Sequence, residues 1–226
     1  MTSRVQACVH EKCAYDRVRT VIGLTGRAQR RPGLVLAVSA ACMAALCGSA
    51  SAQCGQTIDR PPHYRLPAAQ SAPLALGDSV LYDVAGELAD VGFHVNAMVC
   101  RTMTQGIAWL RARANRLPHL VVLALGTNGY MTQADIDNVL GVLGSRRVLA
   151  MVTPHHGDLG YVPGVIRTAV RRHRGRIILL DWDRLSAGHS AWFAPDGIHL
   201  GGTVGITASA QLVAGTLPFA TEPCAP

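Results

Sequence analysis

Residues 120–125, with the sequence LVVLAL, are apolar at six consecutive positions, and this run constrains the fold more than any other feature. A strand with one solvated face alternates apolar and polar side chains, whereas a continuous apolar run indicates a strand buried on both faces. Sheets buried on both faces are those that helices cover on both sides. The run therefore predicts an inner strand of a helix-covered sheet.

Short apolar runs and amphipathic segments alternate around this strand. The pattern predicts further strands at 73–76, 93–96, 147–153 and 176–180. It predicts helices at 80–91, 104–116, 132–143, 161–172 and 203–213, the third beginning with Thr132 and Asp135 at capping-box spacing. Such alternation is typical of an α/β fold, here a flavodoxin-like three-layer α/β/α sandwich around a five-stranded parallel sheet.

The first 52 residues have the features of a secretory signal. Three arginines, Arg27, Arg30 and Arg31, precede an apolar stretch at 34–46, and Ala50-Ser51-Ala52 forms an A-x-A cleavage site. The stretch is shorter than the ~20 residues that span a bilayer, so we expect cleavage after Ala52 and no lasting membrane insertion. An uncleaved anchor is the alternative. We expect a secreted or periplasmic protein with an N-terminal strap at 53–72, one domain at 73–217 and a C-terminal tail at 218–226.

Removal of this segment changes the charge. Seven of the 21 Lys and Arg residues and two of the 14 Asp and Glu residues lie within positions 1–52, so the remainder carries a formal charge of +2 instead of +7. A strongly basic surface is the main sequence feature of nucleic-acid binding. The mature chain lacks it, and we do not expect a nucleic-acid partner.

Three of the seven cysteines follow the signal, namely Cys54, Cys100 and Cys224. Export permits disulfide formation. Because the ends of a domain are often close together, we predict a Cys54–Cys224 bridge. Two free terminal thiols are the alternative.

Two separated motifs contain the residue types of a nucleophilic triad. Gly77-Asp78-Ser79-Val80 follows the first predicted strand, and Asp196-Gly197-Ile198-His199-Leu200 precedes the last predicted helix. A serine becomes nucleophilic when a base removes its proton, and a carboxylate can hold that base in position. Ligand sites of parallel sheets lie beyond the carboxyl ends of the strands. We therefore predict Ser79 as nucleophile, His199 as base and Asp196 as the residue that orients His199.

Acyl transfer also needs hydrogen-bond donors for the developing oxyanion. The Ser79 N–H is one candidate, and the side-chain amide of Asn128, within Gly126-Thr127-Asn128-Gly129, is the second. The main-chain N–H of Cys100, in the loop after the second predicted strand, is the third. An alternative for Asn128 is that it only caps a turn.

These motifs resemble those of the SGNH (GDSL) hydrolase family over about residues 73–217. The family's first, third and fifth blocks correspond to Gly77-Asp78-Ser79-Val80, Gly126-Thr127-Asn128 and Asp196-Gly197-Ile198-His199-Leu200. In the second block Cys100 stands where the family has glycine, a change that preserves a main-chain donor. Additional segments, Val152-Thr153-Pro154 and Asp181-Trp182, are similar to the extracytoplasmic SGNH domains attached to membrane O-acyltransferases. That resemblance implies acetyl transfer on cell-envelope polysaccharides, here by a free-standing relative.

From these features we expect a secreted serine esterase that acts on short acyl esters, with O-acetylated glycans as substrates. An O-acetyltransferase with the same triad is the alternative, and a non-catalytic carbohydrate-binding envelope protein is a third hypothesis. Arg101 and Trp192 are candidates for substrate contact, although Arg101 could pair with a carboxylate and Trp192 could pack in the core. The adjacent His155 and His156 make a poor tetrahedral site by themselves, so we expect no metal. We also expect no organic cofactor and a monomer.

Overall fold

One mixed sheet forms the centre of the computed structural model, which describes residues 54–64, 71–155 and 160–221. Within these residues the sheet has the strand order β1-β3-β2-β4-β5-β6. The strands are β1 (Thr57–Arg60), β2 (Leu74–Gly77), β3 (His94–Met98), β4 (Leu120–Ala124), β5 (Val148–Val152) and β6 (Ile177–Leu180). The described residues belong to one compact unit, Ala52–Pro223. The predicted signal segment, His156 and Cys224 lie outside the described residues.

The five predicted parallel strands are confirmed as β2 to β6, and all their pairings are parallel. The predicted number of strands is wrong, because β1 adds a sixth strand that pairs antiparallel with β3, from Thr57 opposite Met98 to Arg60 opposite Val95. The sequence predicts only an N-terminal strap at 53–72. Its sequence, TIDR, has little apolar character, and an edge strand forms through the free main-chain groups of its neighbour rather than through apolar side chains.

Strand β4 has the two-sided burial that its sequence predicts. Its residues from Leu120 to Leu123 are at most 1% exposed. Val121 and Leu123 contribute to the apolar core on one face of the sheet, and Leu120 and Val122 contribute to the core on the other. A central position between β2 and β5 explains this continuous apolar sequence, because neither face of the strand contacts water.

Helices cover both faces, which confirms the α/β/α layers. The α-helices of the described residues are α1 (Ser79–Asp83), α2 (Ala85–Asp90), α3 (Met103–Arg111), α4 (Gln133–Leu143), α5 (Val162–Arg172), α6 (Trp182–Leu185) and α7 (Gly202–Ala214). Leu110 of α3, Ile136 of α4 and Ile166 of α5 belong to one core, whereas Leu88 of α2 and Val213 of α7 belong to the other. None of the described helices is long and apolar enough to cross a membrane.

Two predicted helices differ from the structure. The helix predicted at 104–116 ends at Arg111 and is followed by a separate 3₁₀ turn. The single helix predicted at 80–91 is divided into α1 and α2 at Val84, whose N–H donates to Leu81 O. The capping box of α4 is confirmed, since Thr132 Oγ1 accepts from Asp135 N and the Asp135 carboxylate accepts from Thr132 N. Three short 3₁₀ turns, Ala114–Arg116, Ser190–Trp192 and Leu217–Phe219, connect or follow the main elements.

The first turn of α7 lies directly against the segment that precedes the Asp196–His199 motif. A Cβ atom on Gly205 would lie 2.1 Å from the carbonyl oxygen of Trp192, and one on Gly201 would lie 2.4 Å from that of Phe193. Main-chain atoms cannot move aside as the end of a flexible side chain can. Glycine at these positions therefore sets how closely α7 approaches the motif.

We expect Gly205→Ala to destabilise the protein by about 2 kcal/mol, because overpacking against the main chain forces a backbone shift. Gly141→Ala is the matched control. Gly141 lies on the exposed side of α4 with no atom within 4 Å of an added Cβ, so the same substitution should stabilise by up to ~1 kcal/mol through helix propensity. Urea denaturation of both variants measures the difference. Equal effects at the two positions would contradict the packing that we describe.

Candidate active site

The candidate nucleophile, Ser79, lies on the turn between β2 and α1. Asp78 caps α1, since Oδ1 of its side chain accepts from Val80 N at 3.1 Å. The turn is tight, because a Cβ atom on Gly77 would lie 2.7 Å from Ala124 O and 2.5 Å from Leu81 Cβ. Ser79 is 7% exposed. In GDSV, Gly77 permits the tight turn, Asp78 caps the helix and Ser79 begins it. Ser79 therefore lies at the carboxyl edge of the sheet.

Asp78 is an ionisable side chain in the interior, 1% exposed. Burial raises the pKa of its carboxyl to about 6, against the opposing effect of hydrogen bonds from Val80 and Thr127 and of the nearby His199. Desolvation disfavours the charged carboxylate, and the surrounding donors compensate for it only in part. The carboxyl next to the candidate nucleophile therefore has a pKa of about 6.

Ser79, His199 and Asp196 form a continuous chain of polar contacts. His199 Nε2 lies 2.9 Å from Ser79 Oγ, and His199 Nδ1 lies 2.6 Å from Asp196 Oδ2. The two ring nitrogens thus face a hydroxyl and a carboxylate, which is the arrangement that lets imidazole accept the serine proton while the carboxylate stabilises the imidazolium. The structure brings together the three residues that the sequence predicts as a triad.

The Asp196 carboxylate is held in its charged form. Partial burial raises its pKa, but the hydrogen bond with the His199 side chain and those from the main-chain N–H groups of Ile198 and His199 outweigh this effect, and the pKa is about 2. Both main-chain donors contact Oδ1, at 2.9 and 3.0 Å, which leaves Oδ2 for the imidazole. The three-residue spacing of DGIH makes this local turn possible.

Asp83 fixes the position of the His199 loop, and the sequence prediction missed it. Its Oδ2 accepts from Leu200 N at 3.1 Å, which connects α1 to the residue that follows His199. The loop is further held by a bridge between Phe193 and Leu200. A signal existed in the sequence: Asp83 follows Ser79 by four residues, and this spacing places both on one face of a helix.

The candidate oxyanion donors belong to three neighbouring loops. Strand β2 lies between β3 and β4, with Gly77 opposite Ala97 on one side and Ala124 on the other. The loops that contain Ser79, Cys100 and Asn128 therefore leave the same sheet edge side by side. Within the described residues, the buried Asn128 Nδ2 has no hydrogen-bond partner. A buried donor without an acceptor is costly, and a substrate oxygen is a natural partner for it.

The predicted Cys54–Cys224 bridge is wrong, because Cys54 forms a disulfide with Cys100, with the two Cα atoms 5.1 Å apart. The cause is the unpredicted strand β1, which carries residue 54 along β3 to the loop that follows it. Cys100 has φ 62°, a left-handed conformation that is disfavoured by about 1–2 kcal/mol for residues with a Cβ. Cys100 thus enters the site as a crosslinked main chain, not as a free thiol.

Arg101 is a buried support for the nucleophile turn. It is 3% exposed, and its Nη1 donates to the main-chain oxygens of Gly77 and Asn96, both at 2.9 Å. Its Nη2 donates to Asn96 Oδ1 at 2.7 Å. Burial lowers its pKa to about 10 although the Asp78 carboxylate raises it, so the guanidinium remains charged. These contacts correct both sequence-based roles, since the guanidinium faces main-chain carbonyls rather than substrate or a paired carboxylate.

Trp192 belongs to an aromatic cluster beneath the His199 loop. Its ring stacks on that of His189 at 4.0 Å and on that of Trp182 at 5.7 Å. These contacts favour the packing alternative for Trp192, and a contact with substrate stays a prediction.

His155 stacks on Phe193, and its Nδ1 lies 2.8 Å from Ser186 Oγ. Among the described residues, no three His, Cys, Asp or Glu side chains are grouped so that they could bind a metal ion.

The chain is similar in sequence to bacterial O-acetyltransferases. It is 30% identical over 140 residues to a candidate O-acetyltransferase of Staphylococcus aureus strain MSSA476, a match that covers 57% of this chain and 22% of that protein. It is 28% identical over 137 residues to the O-acetyltransferase OatA of S. aureus strain NCTC 8325, covering 58% and 23%. The chain thus spans less than a quarter of the length of these curated relatives. No protein-family model matches it.

A solved domain connects these relatives to the fold. The C-terminal catalytic domain of peptidoglycan O-acetyltransferase A from Streptococcus pneumoniae superposes with a TM-score of 0.57 and 25% identity, covering 67% of this chain and 92% of that domain. In fold the chain is similar to this domain, and its motifs resemble those of the SGNH/GDSL hydrolases. A lipase/acylhydrolase of Enterococcus faecalis, with a TM-score of 0.51, 18% identity and coverage of 69% and 100%, has the same fold.

The S. aureus protein and the S. pneumoniae domain are O-acetyltransferases, and the E. faecalis protein is an acylhydrolase. The GDSV, Cys100 and GTNG segments follow β2, β3 and β4, and the DGIHL segment reaches the same edge through the contact of His199 with Ser79. The two additional segments, Val152-Thr153-Pro154 and Asp181-Trp182, take part in hydrogen bonds that hold the fold together. Thr153 and Asp181 share a hydrogen bond of 3.2 Å, and Arg167 binds Asp181 through two nitrogens and Asp183 through one. A charged network therefore ties α5 and α6 to the end of β5.

We expect Asp78→Asn to stabilise the protein increasingly as the pH rises. The Asp78 pKa is about 6 in the folded state and lies near its ordinary value, 3.8, in the unfolded state. The folded state therefore binds the proton more tightly, and wild-type stability decreases as the pH rises from about 4 to about 6. Asparagine keeps a cap without this titration. The stability of the variant relative to the wild type should grow by on the order of 2–3 kcal/mol across this range.

Urea denaturation of both proteins at pH 4, 5, 6 and 7 measures this change. Other titrating groups are common to the two proteins, so their contributions cancel in the comparison. A stability difference that stays constant across this pH range would contradict the raised pKa of Asp78.

Proposed function

We propose that this SGNH protein is a serine esterase that removes short acyl groups, acetyl above all, from O-acylated glycans outside the cytoplasm. The observation that carries the proposal is the chain of contacts from Ser79 Oγ through His199 to Asp196, at 2.9 and 2.6 Å. A nucleophile, a base within hydrogen-bonding distance and a group that orients the base are what acyl transfer requires.

In the proposed reaction, His199 Nε2 accepts the Ser79 proton as Oγ attacks the carbonyl carbon of the ester. The tetrahedral oxyanion is stabilised by the main-chain N–H groups of Ser79 and Cys100 and by Asn128 Nδ2. As the intermediate collapses, the C–O bond to the alcohol breaks, and the imidazolium protonates the leaving oxygen. The products of this step are the free alcohol and an acyl-enzyme on Ser79.

A water molecule then completes hydrolysis. His199 removes one proton from the water as its oxygen attacks the acyl carbon, and returns it to Ser79 Oγ as the carboxylic acid leaves. Asp196 stays ionised throughout, because its pKa of about 2 lies far below the pH at which imidazole titrates. In this proposal His199 carries each proton transfer, and Asp196 stabilises the imidazolium.

O-acetyl transfer is the second candidate, and the comparisons favour it. The sequence relatives reported above are O-acetyltransferases at 28–30% identity, whereas the acylhydrolase of E. faecalis is 18% identical. The acyl-enzyme would be the same, with a sugar hydroxyl taking the place of water in the second step. The S. pneumoniae domain belongs to a peptidoglycan O-acetyltransferase, so a cell-envelope glycan is the acceptor that this candidate implies.

Two features support action outside the cytoplasm. Positions 1–52 have the composition of an export signal. The Cys54–Cys100 disulfide is the second feature, since disulfides persist in oxidising compartments and are rare where glutathione and thioredoxin keep thiols reduced. Because this crosslink lies within the domain, the support for an extracytoplasmic location does not depend on the signal alone.

We expect Ser79→Ala to abolish hydrolysis of a chromogenic acetyl ester, because the proposed acyl-enzyme forms on Ser79 Oγ. Asn128→Ala should reduce kcat by about 10²–10³-fold through loss of one oxyanion donor. Asn138→Ala is the matched control and should keep wild-type kcat, because Asn138 is exposed on α4. Steady-state kinetics measure the three variants. Wild-type rates for Ser79→Ala would disprove the serine mechanism.

We expect the fate of the acyl-enzyme to distinguish the two candidate functions. The wild type is mixed with an acetyl ester at fixed concentration, and chito-oligosaccharide acceptors are added in increasing amounts. If the enzyme is an esterase, acetate accounts for all of the alcohol released, and mass spectrometry finds no acetylated sugar. Acetylated sugar that increases with acceptor while acetate decreases would establish transfer and reject the esterase proposal.

A further inference from the structure

We propose that the Cys54–Cys100 disulfide is a positioning element of the oxyanion hole. It holds residue 100 in the left-handed conformation that directs its N–H toward the acyl oxygen. The inference rests on the proposed function, because it concerns one of the three oxyanion donors. It assigns a role in the rate of acyl transfer to Cys54, a residue of the N-terminal segment that contributes no group to the reaction itself.

The conformation of Cys100 is the first observation. Among the described residues, Cys100 is the only residue other than glycine with positive φ, at 62°. Glycine adopts such angles freely, whereas a Cβ atom disfavours them. Residues held in such conformations persist where the surrounding structure overdetermines them, and they are concentrated at functional sites.

The contacts around Cys100 supply that restraint. Gly55 N donates to Val99 O at 3.0 Å, and Val99 N donates to Gln56 O at 2.9 Å, so the residues next to Cys54 bind the residue before Cys100. On the other side, Arg101 N donates to Met98 O at 3.1 Å. Between these hydrogen bonds, the disulfide connects residue 100 itself covalently to Cys54. The main chain is thus fixed before, at and after residue 100.

The main-chain N–H of Cys100 donates to no described residue. We infer that this donor is left for a ligand. The loop lies beside the nucleophile turn, because Ala97 is opposite Gly77 in the sheet and Arg101 Nη1 donates to Gly77 O at 2.9 Å. The donor and the candidate nucleophile are therefore connected through one buried guanidinium.

These observations give a specific mechanical role to the crosslink. Without it, a residue with a Cβ at position 100 relaxes toward negative φ, and this rotation turns the peptide unit that contains the donor. Loss of one oxyanion donor reduces kcat by about 10²–10³-fold, whereas substrate binding in the ground state depends much less on it. Glycine at position 100 does not need the crosslink, because it adopts the left-handed conformation without a Cβ.

The test compares two double variants that both lack the disulfide, Cys54→Ala/Cys100→Ala and Cys54→Ala/Cys100→Gly. They lose the same crosslink over the same 46-residue separation, so the effect of the crosslink on the unfolded chain is common to both. For the alanine variant we expect kcat on the acetyl ester to fall by about 100-fold with KM changed less than threefold. For the glycine variant we expect kcat to recover to within about tenfold of the wild type.

Equal kcat values for the two variants, whether low or high, would overturn the inference, since a crosslink that only stabilises the fold does not distinguish alanine from glycine. If the alanine variant does not fold, reduction of the wild type takes its place. Dithiothreitol converts the disulfide to two thiols and is itself oxidised to its cyclic disulfide. It should then lower kcat of the wild type and leave that of the glycine variant unchanged, and equal responses would reject the inference.

Ser79→Ala in the same assay separates this inference from the proposed function. An inactive Ser79→Ala together with indistinguishable alanine and glycine variants would reject the positioning role and leave the serine mechanism standing. An active Ser79→Ala would reject both, because no oxyanion on a Ser79 acyl-enzyme would then need a donor.

Discussion

The parallel pairing of β2 between β3 and β4 is the interaction on which the site depends. It aligns Gly77 with Ala97 and Ala124, so three loops leave one sheet edge side by side. Those loops contain Ser79, Cys100 and Asn128. Each residue comes from a different part of the sequence, and only the hydrogen-bond register of the three strands makes them neighbours. The two apolar cores on either face stabilise this register, because a shift of one residue would move buried side chains to the opposite face.

Polar groups buried behind this edge support the reactive groups in front of it. Arg101 binds main-chain oxygens of β2 and β3, and Asp78 caps α1. Buried charges of this kind are unfavourable without partners, and their partners here are the main-chain atoms of the nucleophile turn. Asp83 has the same function on the other side of Ser79, where it binds Leu200 N. The turn and the His199 loop therefore have few alternative positions, which suits a site in which small displacements reduce the rate strongly.

Most of the fold could be predicted from the sequence, because its signals are local. The apolar run at 120–125 and the Thr132 capping box each act within a few residues, and both predictions are confirmed. Strand β1 could not be predicted in this way, because its pairing depends on the exposed edge of β3 rather than on its own side chains. The Cys54–Cys224 prediction failed for the same reason. It used the general proximity of chain ends, whereas the pairing of β1 with β3 places Cys54 beside the loop that follows β3.

The sequence by itself determined the residue types of the site and their order, since GDSV and DGIHL each contain a complete local turn with its own hydrogen bonds. It also determined that Asp196 can bind His199, because they lie three positions apart in one turn. Only the tertiary structure decided that Ser79 Oγ meets His199 Nε2 across 120 residues of sequence, and that Arg101 faces main-chain carbonyls. The physical reason is the range of the forces: local turns follow from backbone sterics and short hydrogen bonds, whereas contacts between distant segments follow from the register of the whole sheet.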